Sequence, residues 1–332
     1  MTGGARPRRR GGGDPPPLRS IAVFCRVTGQ VNTKPRPAWF AKRDCLGSML
    51  DALEVVAARG VAVRVVLVVD GVIDLGGLRP HGTVRPEVLA RRGGSSRRSM
   101  LNLYDCAVRL AGPDDLVWFG EDDYVYAPEA FVRLLATLDR TGVDYAALHY
   151  PQDFAWHATH PSQPLAKAPF PLRTVDVGTD PPWMTVTHST STFGARAAAV
   201  RRDRWLLGLV TRAGSPFAHA TSMAVQGRAP YRWRRITADA NWSWRPGQWR
   251  FSALRAPMRA AVNLGARWQG RRHAVTMLAP CRDLVCHVEE GFLTDHRDWR
   301  ALAAPASVPE SVPESVPASV PASAPGAREG SG

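Results

Sequence analysis

Apolar and polar positions along the chain fall into two regimes. Residues 21–25 (Ile-Ala-Val-Phe-Cys) are a short continuous apolar run, which reads as a buried strand. Across residues 39–58, Leu46, Met49, Leu50, Leu53 and Val56 recur at helical spacing, so a helix is expected there. Residues 61–69 are mostly β-branched and stop abruptly at Asp70-Gly71, a polar residue and a turn residue, which predicts a central parallel strand. Met100, Leu103, Tyr104, Ala107 and Val108 form an i, i+3, i+4 stripe, and an amphipathic helix is expected over residues 96–110. Residues 116–119 supply another buried strand, and Ala127-Pro128-Glu129 marks the expected start of a helix with Val132, Leu135 and Leu138 on its apolar face. Residues 143–149 read as one more strand. This alternation predicts an α/β fold with a mostly parallel sheet flanked by helices, and the ligands of such sheets gather at the carboxyl ends of the strands. Beyond residue 150 the pattern becomes irregular and rich in Pro, His and Trp.

Composition sets the limits of this picture. The chain has 332 residues, 45% hydrophobic and 22% charged, which is enough to bury a substantial core. Residues 1–19 are Gly, Pro and Arg, and residues 304–332 repeat Ser-Val-Pro-Glu and Ser-Val-Pro-Ala; neither composition builds a core, so both ends are expected to be disordered. Between them, residues 20–150 form the regular half and residues 151–303 the irregular half of one expected catalytic domain. Lys+Arg exceed Asp+Glu by 43 to 29, a formal charge of +14, which favours phosphorylated ligands, polyanions or anionic lipid surfaces. Five scattered cysteines make no disulfide framework, the N-terminus has no apolar signal region, and no run approaches the ~20 apolar residues of a membrane span. The expected location is cytoplasmic, with any membrane association peripheral.

Two predicted strands end in acids: Asp70, and Glu121-Asp122-Asp123 after Gly120. In a parallel sheet these ends share one edge. Three adjacent carboxylates repel one another unless a cation or basic groups compensate. Mg²⁺ or Mn²⁺ takes oxygen ligands and completes its shell with substrate phosphate and water, so a diphosphate site is one reading. An acidic loop capping the next helix is the other. Neither Gly-x-Gly-x-x-Gly after the first strand nor Gly-Lys-Ser/Thr occurs, which excludes dinucleotide-binding and P-loop motifs.

The stretch Asp-Asp-Leu-Val-Trp-Phe-Gly-Glu-Asp-Asp-Tyr-Val-Tyr-Ala-Pro-Glu-Ala-Phe (residues 114–131) resembles the acidic motif of the GT-A fold of nucleotide-sugar glycosyltransferases, in its Glu-Asp-Asp form. Val-Val-Leu-Val-Val-Asp-Gly resembles that fold's nucleotide-binding strand, and Gly93-Gly94-Ser95-Ser96-Arg97-Arg98 with Asn102 is similar to the turn and helix before the acidic strand in family 2 enzymes. The resemblance covers roughly residues 20–140 and implies a sugar transferred from a nucleotide-diphosphate donor, with Mn²⁺ or Mg²⁺ as cofactor. It assigns Asp123 as the direct metal ligand, with Glu121 and Asp122 contacting metal-bound water, ribose or sugar. Asp70 is assigned to the base or ribose and Arg97 or Arg98 to phosphate; Arg26, which closes the first strand, and Asn102 are further candidates for binding the nucleotide sugar. A saccharide or lipid-linked acceptor is expected, and nucleic acid is not.

The second half departs from that pattern. Residues 187–196, including His188, are similar to the strand beyond the acceptor-side insertion, and residues 281–293 to the C-terminal segment that sets a His against the metal, which makes His287 the second ligand. The acidic pair that supplies the general base in family 2 is missing around residues 215–222. Asp203, Asp239 and His219 are the remaining candidates, the last because imidazole titrates near neutrality. Residues 228–272 interleave Arg with Trp, a composition that suits sugars, polyanions or an anionic membrane surface. A non-enzymatic binder built on this segment is the competing expectation.

Overall fold

The computed structural model describes residues 18–29, 35–73, 78, 82–149, 173–178, 182–186, 189–214, 217–237, 248–273, 275–290 and 293–304. The two ends expected to be disordered lie almost wholly outside these residues, as do His188 and Asp239.

Continuous apolar runs become the central strands β1 (Ser20–Thr28), β2 (Ala62–Asp70) and β4 (Leu116–Glu121). They are buried on both faces, which is why they lack alternation. An edge strand, β3 (Pro86–Ala90), has no counterpart in the apolar pattern; its residues are half-buried or exposed, so it carries little hydrophobic signal. The periodic segments become α1 (Lys42–Ala57) and α2 (Ser96–Leu110), the latter capped by Ser95, whose side chain accepts from the Arg98 amide. The helix expected from residue 127 begins three residues later as α3 (Ala130–Thr141). Pro128 and Glu129 form a turn instead, and the Glu129 carboxylate pairs with Arg297 at 2.8 Å.

β5 (Tyr124–Tyr126) follows the acidic trio, and the strand expected over residues 143–149 shrinks to β6 (Tyr145–Ala146). β7 (Thr174–Val175), β8 (Trp183–Val186), β9 (Phe193–Arg196), β10 (Met277–Pro280) and β11 (Val285–His287) complete the strands. The irregular half also contributes α4 (Ala197–Ala213), α5 (Phe217–Val225), α6 (Gln248–Arg272) and α7 (Trp299–Ala303).

Among the described residues nine strands form one sheet in the order β3-β2-β1-β4-β9-β6-β10-β8-β7. Its first four are parallel. β9 then enters antiparallel between β4 and β6, and β8 is likewise antiparallel to β10. The sheet is therefore mixed, although seven of the nine strands point one way. One face is covered by α1 and α3, the other by α2 and α4, each over its own apolar cluster. α4, α5 and α6 enclose a third cluster that includes Leu206, Val210, Tyr231, Val262 and Ala266. β5 and β11 make a separate two-stranded ribbon. The architecture is α/β, with a large central sheet flanked by helices.

Candidate active site at the strand ends

Register fixes what meets at the carboxyl edge of the sheet. Thr28 on β1 lies beside Asp70 on β2, and Arg26 lies beside Glu121 on β4. Asp122 and Asp123 form the turn through which the chain leaves the large sheet and enters the ribbon. Behind them Trp118, Tyr126 and Phe131 stack as a buried aromatic wedge, with the Trp118 indole donating to the Tyr126 hydroxyl at 3.1 Å. The trio therefore stands on a rigid base.

Each acid of the trio has its own cation. Arg26 pairs with Glu121, Lys42 with Asp122 at 2.9 Å, and Arg36 with Asp123 at 2.6 Å. Charge-assisted hydrogen bonds of this kind contribute about 1.5–3 kcal/mol each, so they offset the repulsion that three neighbouring carboxylates create. Asp122 is only 5% exposed and also accepts from the Thr28 amide at 2.9 Å. Burial raises its pKa against the pull of Lys42. At Asp123 burial pushes the same way, but His287 and Arg36 prevail and hold its carboxyl below the usual range. Burial likewise opposes the charge on Arg26, and Glu121 overcomes it.

Asp70 is held differently. It accepts from the Gly93 amide at 2.8 Å and from the Ser99 hydroxyl at 2.5 Å, and the Gly94 amide also points to it. Desolvation opposes its ionisation, yet these donors keep its pKa lowered. A Cβ on Gly93 would stand 2.1 Å from the Asp70 carboxylate, and Gly94 has φ +68°, so both glycines are needed for this approach. The carboxylate expected to hold a base or ribose thus anchors the turn before α2.

The ribbon delivers His287. Its register sets His287 opposite Tyr124, with rings stacked at 4.8 Å and 17°. His287 Nε2 lies 3.2 Å from Asp123 Oδ2, and Nδ1 lies 3.6 Å from Glu289. Asp123 Oδ1 is buried without a hydrogen-bond partner. Oδ2 is already held by Arg36 at 2.6 Å, so the unpartnered Oδ1 and the imidazole are the donors that would suit Mg²⁺ or Mn²⁺. Among the described residues no group of three or more His, Cys, Asp or Glu is placed to hold a metal ion. The remaining ligands would come from phosphate and water.

The other sequence-derived candidates spread around this centre. Arg97 is half-buried and Arg98 exposed at the start of α2, and the Asn102 amide makes a long 3.5 Å contact with the Arg92 carbonyl. Arg26 also donates to Ser96 at 3.0 Å, which ties the first strand to that helix. His219 is half-buried on α5, whose Ser222 hydroxyl accepts from the Ser189 amide at 3.0 Å. Burial raises the Tyr124 pKa against a smaller opposing pull from Thr190 and Thr192, so the hydroxyl-rich run lies near the ribbon. Asp203 is removed as a base. It is fully buried and bound by Tyr145 at 2.8 Å, Arg202 at 2.7 Å and Gln269, so no face of its carboxylate is open to a substrate. The residues that the sequence pattern did not single out are Arg36, Lys42, Tyr124 and Glu289. Pro35-Arg36-Pro37 between the first strand and first helix was the one visible signal.

Neither a family model nor a curated protein matches the chain. Among the solved structures similar to parts of it are the following two. The first, residues 1–349 of S. aureus TarS, aligns at TM-score 0.35 and 13% identity over 61% of this chain. The alignment spans 54% of the TarS structure, so the chain covers about half its length. The second, 4-diphosphocytidyl-2C-methyl-D-erythritol synthase, aligns at TM-score 0.30 and 10% identity over 71% of this chain and 97% of that one.

Proposed function

We propose that the protein is a glycosyltransferase of GT-A type that moves a sugar from a nucleotide-diphosphate donor to a saccharide or lipid-linked acceptor. The observation that carries this reading is the meeting of Asp123 and His287 at 3.2 Å beside a buried, open carboxylate oxygen at the carboxyl edge of the sheet. Asp123 and His287 would hold Mn²⁺ or Mg²⁺, which when bound neutralises the diphosphate leaving group. Tyr124 sets the plane of the imidazole by stacking, and Glu289 lies where it can fix the proton on Nδ1. Lys42 and Arg26 pair with Asp122 and Glu121 and hold them in place, so that they can accept from sugar or ribose hydroxyls. Arg97 and Arg98 would face phosphate, Asp70 would order the turn that carries them, and His219 and Asp239 are the candidates for the base.

The test is metal-dependent hydrolysis across a panel of nucleotide sugars, with folding followed by circular dichroism. Asp123→Ala should lower the Mn²⁺-dependent rate by about 10²-fold or more, because a metal contributes several kcal/mol of charge stabilisation. An Asp123→Ala protein that is folded, active and still metal-dependent would sink the assignment.

A further inference from the structure

The second half of α6 is bound to the protein along one stripe. Asn263 accepts from the Tyr231 amide at 3.0 Å and donates to its carbonyl at 2.8 Å, and Gln269 reaches the buried Asp203. One step around the helix, Arg267 and Arg271 are four residues apart on the same face. With Arg228, Gln226 and Val275 they line an open crevice of about 580 Å³. Among the described residues no ion pair joins Arg267 or Arg271 to a carboxylate, and α6 contains no acid at all. Arg228 is half-buried, and desolvation lowers its pKa to about 10.

The next stripe around is apolar and exposed. Leu264 is 59% exposed and Trp268 46%, and Trp205 from α4, 44% exposed, meets Trp268 edge to face at 5.9 Å. Arg272 lies over the Trp268 ring at 4.1 Å. Val275 lies two residues before β10, which runs in the same direction as β4. The crevice therefore opens at the amino ends of the strands, on the opposite edge from the acidic trio.

We propose that the Arg228–Arg267–Arg271 crevice binds the phosphate of an anionic lipid headgroup, while Trp205, Trp268 and Leu264 rest in the interfacial layer of the bilayer. Indole rings favour that layer, and arginines near an anionic leaflet each add attraction to it. Apolar and electrostatic contacts together give stable peripheral binding where either alone is weak. A single-stranded nucleic acid fits less well, because Arg272 already covers a face of Trp268 and Trp205 abuts its edge, leaving little ring for a base to stack on.

Co-sedimentation of the full chain with phosphatidylcholine vesicles, with and without phosphatidylglycerol, tests this. Binding should require phosphatidylglycerol. The Arg267→Gln/Arg271→Gln variant should weaken it by roughly 10- to 30-fold, and Trp268→Ser should weaken it several-fold at unchanged fold. Asp123→Ala should bind vesicles like the parent, which separates this inference from the transferase reading. Equal binding to both vesicle types, no binding to either, or an unchanged double variant would overturn it. So would complete competition by inorganic phosphate, or tighter binding to a single-stranded oligonucleotide.

Discussion

Two charged clusters, one at each edge of the sheet, handle charge in opposite ways. At the carboxyl edge, Glu121, Asp122 and Asp123 each meet a dedicated cation, and Asp70 is satisfied by amides and a hydroxyl. At the amino edge, Arg267 and Arg271 line a crevice with Arg228, and among the described residues neither of the two pairs with a carboxylate. Matched charge stabilises the protein as it stands, whereas unmatched charge of one sign stabilises it only when a ligand arrives. Stability measurements should therefore separate the two edges sharply.

Arg36→Ala should have the largest effect. It leaves Asp123 nearly buried with only His287 beside it, and a loss of about 2–3 kcal/mol in urea unfolding is expected. Mn²⁺ should restore part of that loss if the ion takes up the charge that Arg36 carried; a variant that unfolds like the parent would remove the distinction between the edges. Asp70→Asn should cost about 1 kcal/mol at neutral pH, since two amides and the Ser99 hydroxyl lose an ionised acceptor. Asp70 has a folded pKa lowered from 3.8, so the stability it contributes is present above about pH 4 and is lost as pH falls toward its folded value. The asparagine variant should accordingly show a shallower acid limb, measured as unfolding free energy against pH. Arg267→Gln/Arg271→Gln should change stability by no more than about 0.5 kcal/mol, leaning toward stabilisation as an i, i+4 like-charge pair is relieved. A larger destabilisation would mean that the crevice is held together by those arginines.

The sequence made the core of the sheet visible because β1, β2 and β4 are buried on both faces and read as unbroken apolar runs. Glu121-Asp122-Asp123 stood out for the same reason, as an abrupt polar end to such a run. The counter-ions did not. Arg36 and Lys42 lie some eighty residues from the acids they meet, and no periodicity links a loop arginine to a distant turn. β9 posed a related problem: its residues read as a strand, but its antiparallel place between β4 and β6 depends on long-range pairing that local pattern does not encode. Asp203 looked like a free acid in sequence only because Tyr145 and Gln269, 58 and 66 residues away, were not known to surround it.

The crevice owes its width to two glycines. A Cβ on Gly227 would stand 2.2 Å from the Gly270 Cα, and one on Gly270 would stand 2.8 Å from the Gly227 Cα. Arg228 and Arg271 follow these residues directly, so two cationic arms hinge from a single point where backbone touches backbone. The main-chain separation at the root of the crevice is set by this contact. Enlarging either glycine would act as a wedge: the full positive charge would remain, but the jaws would no longer close to the gauge of one headgroup.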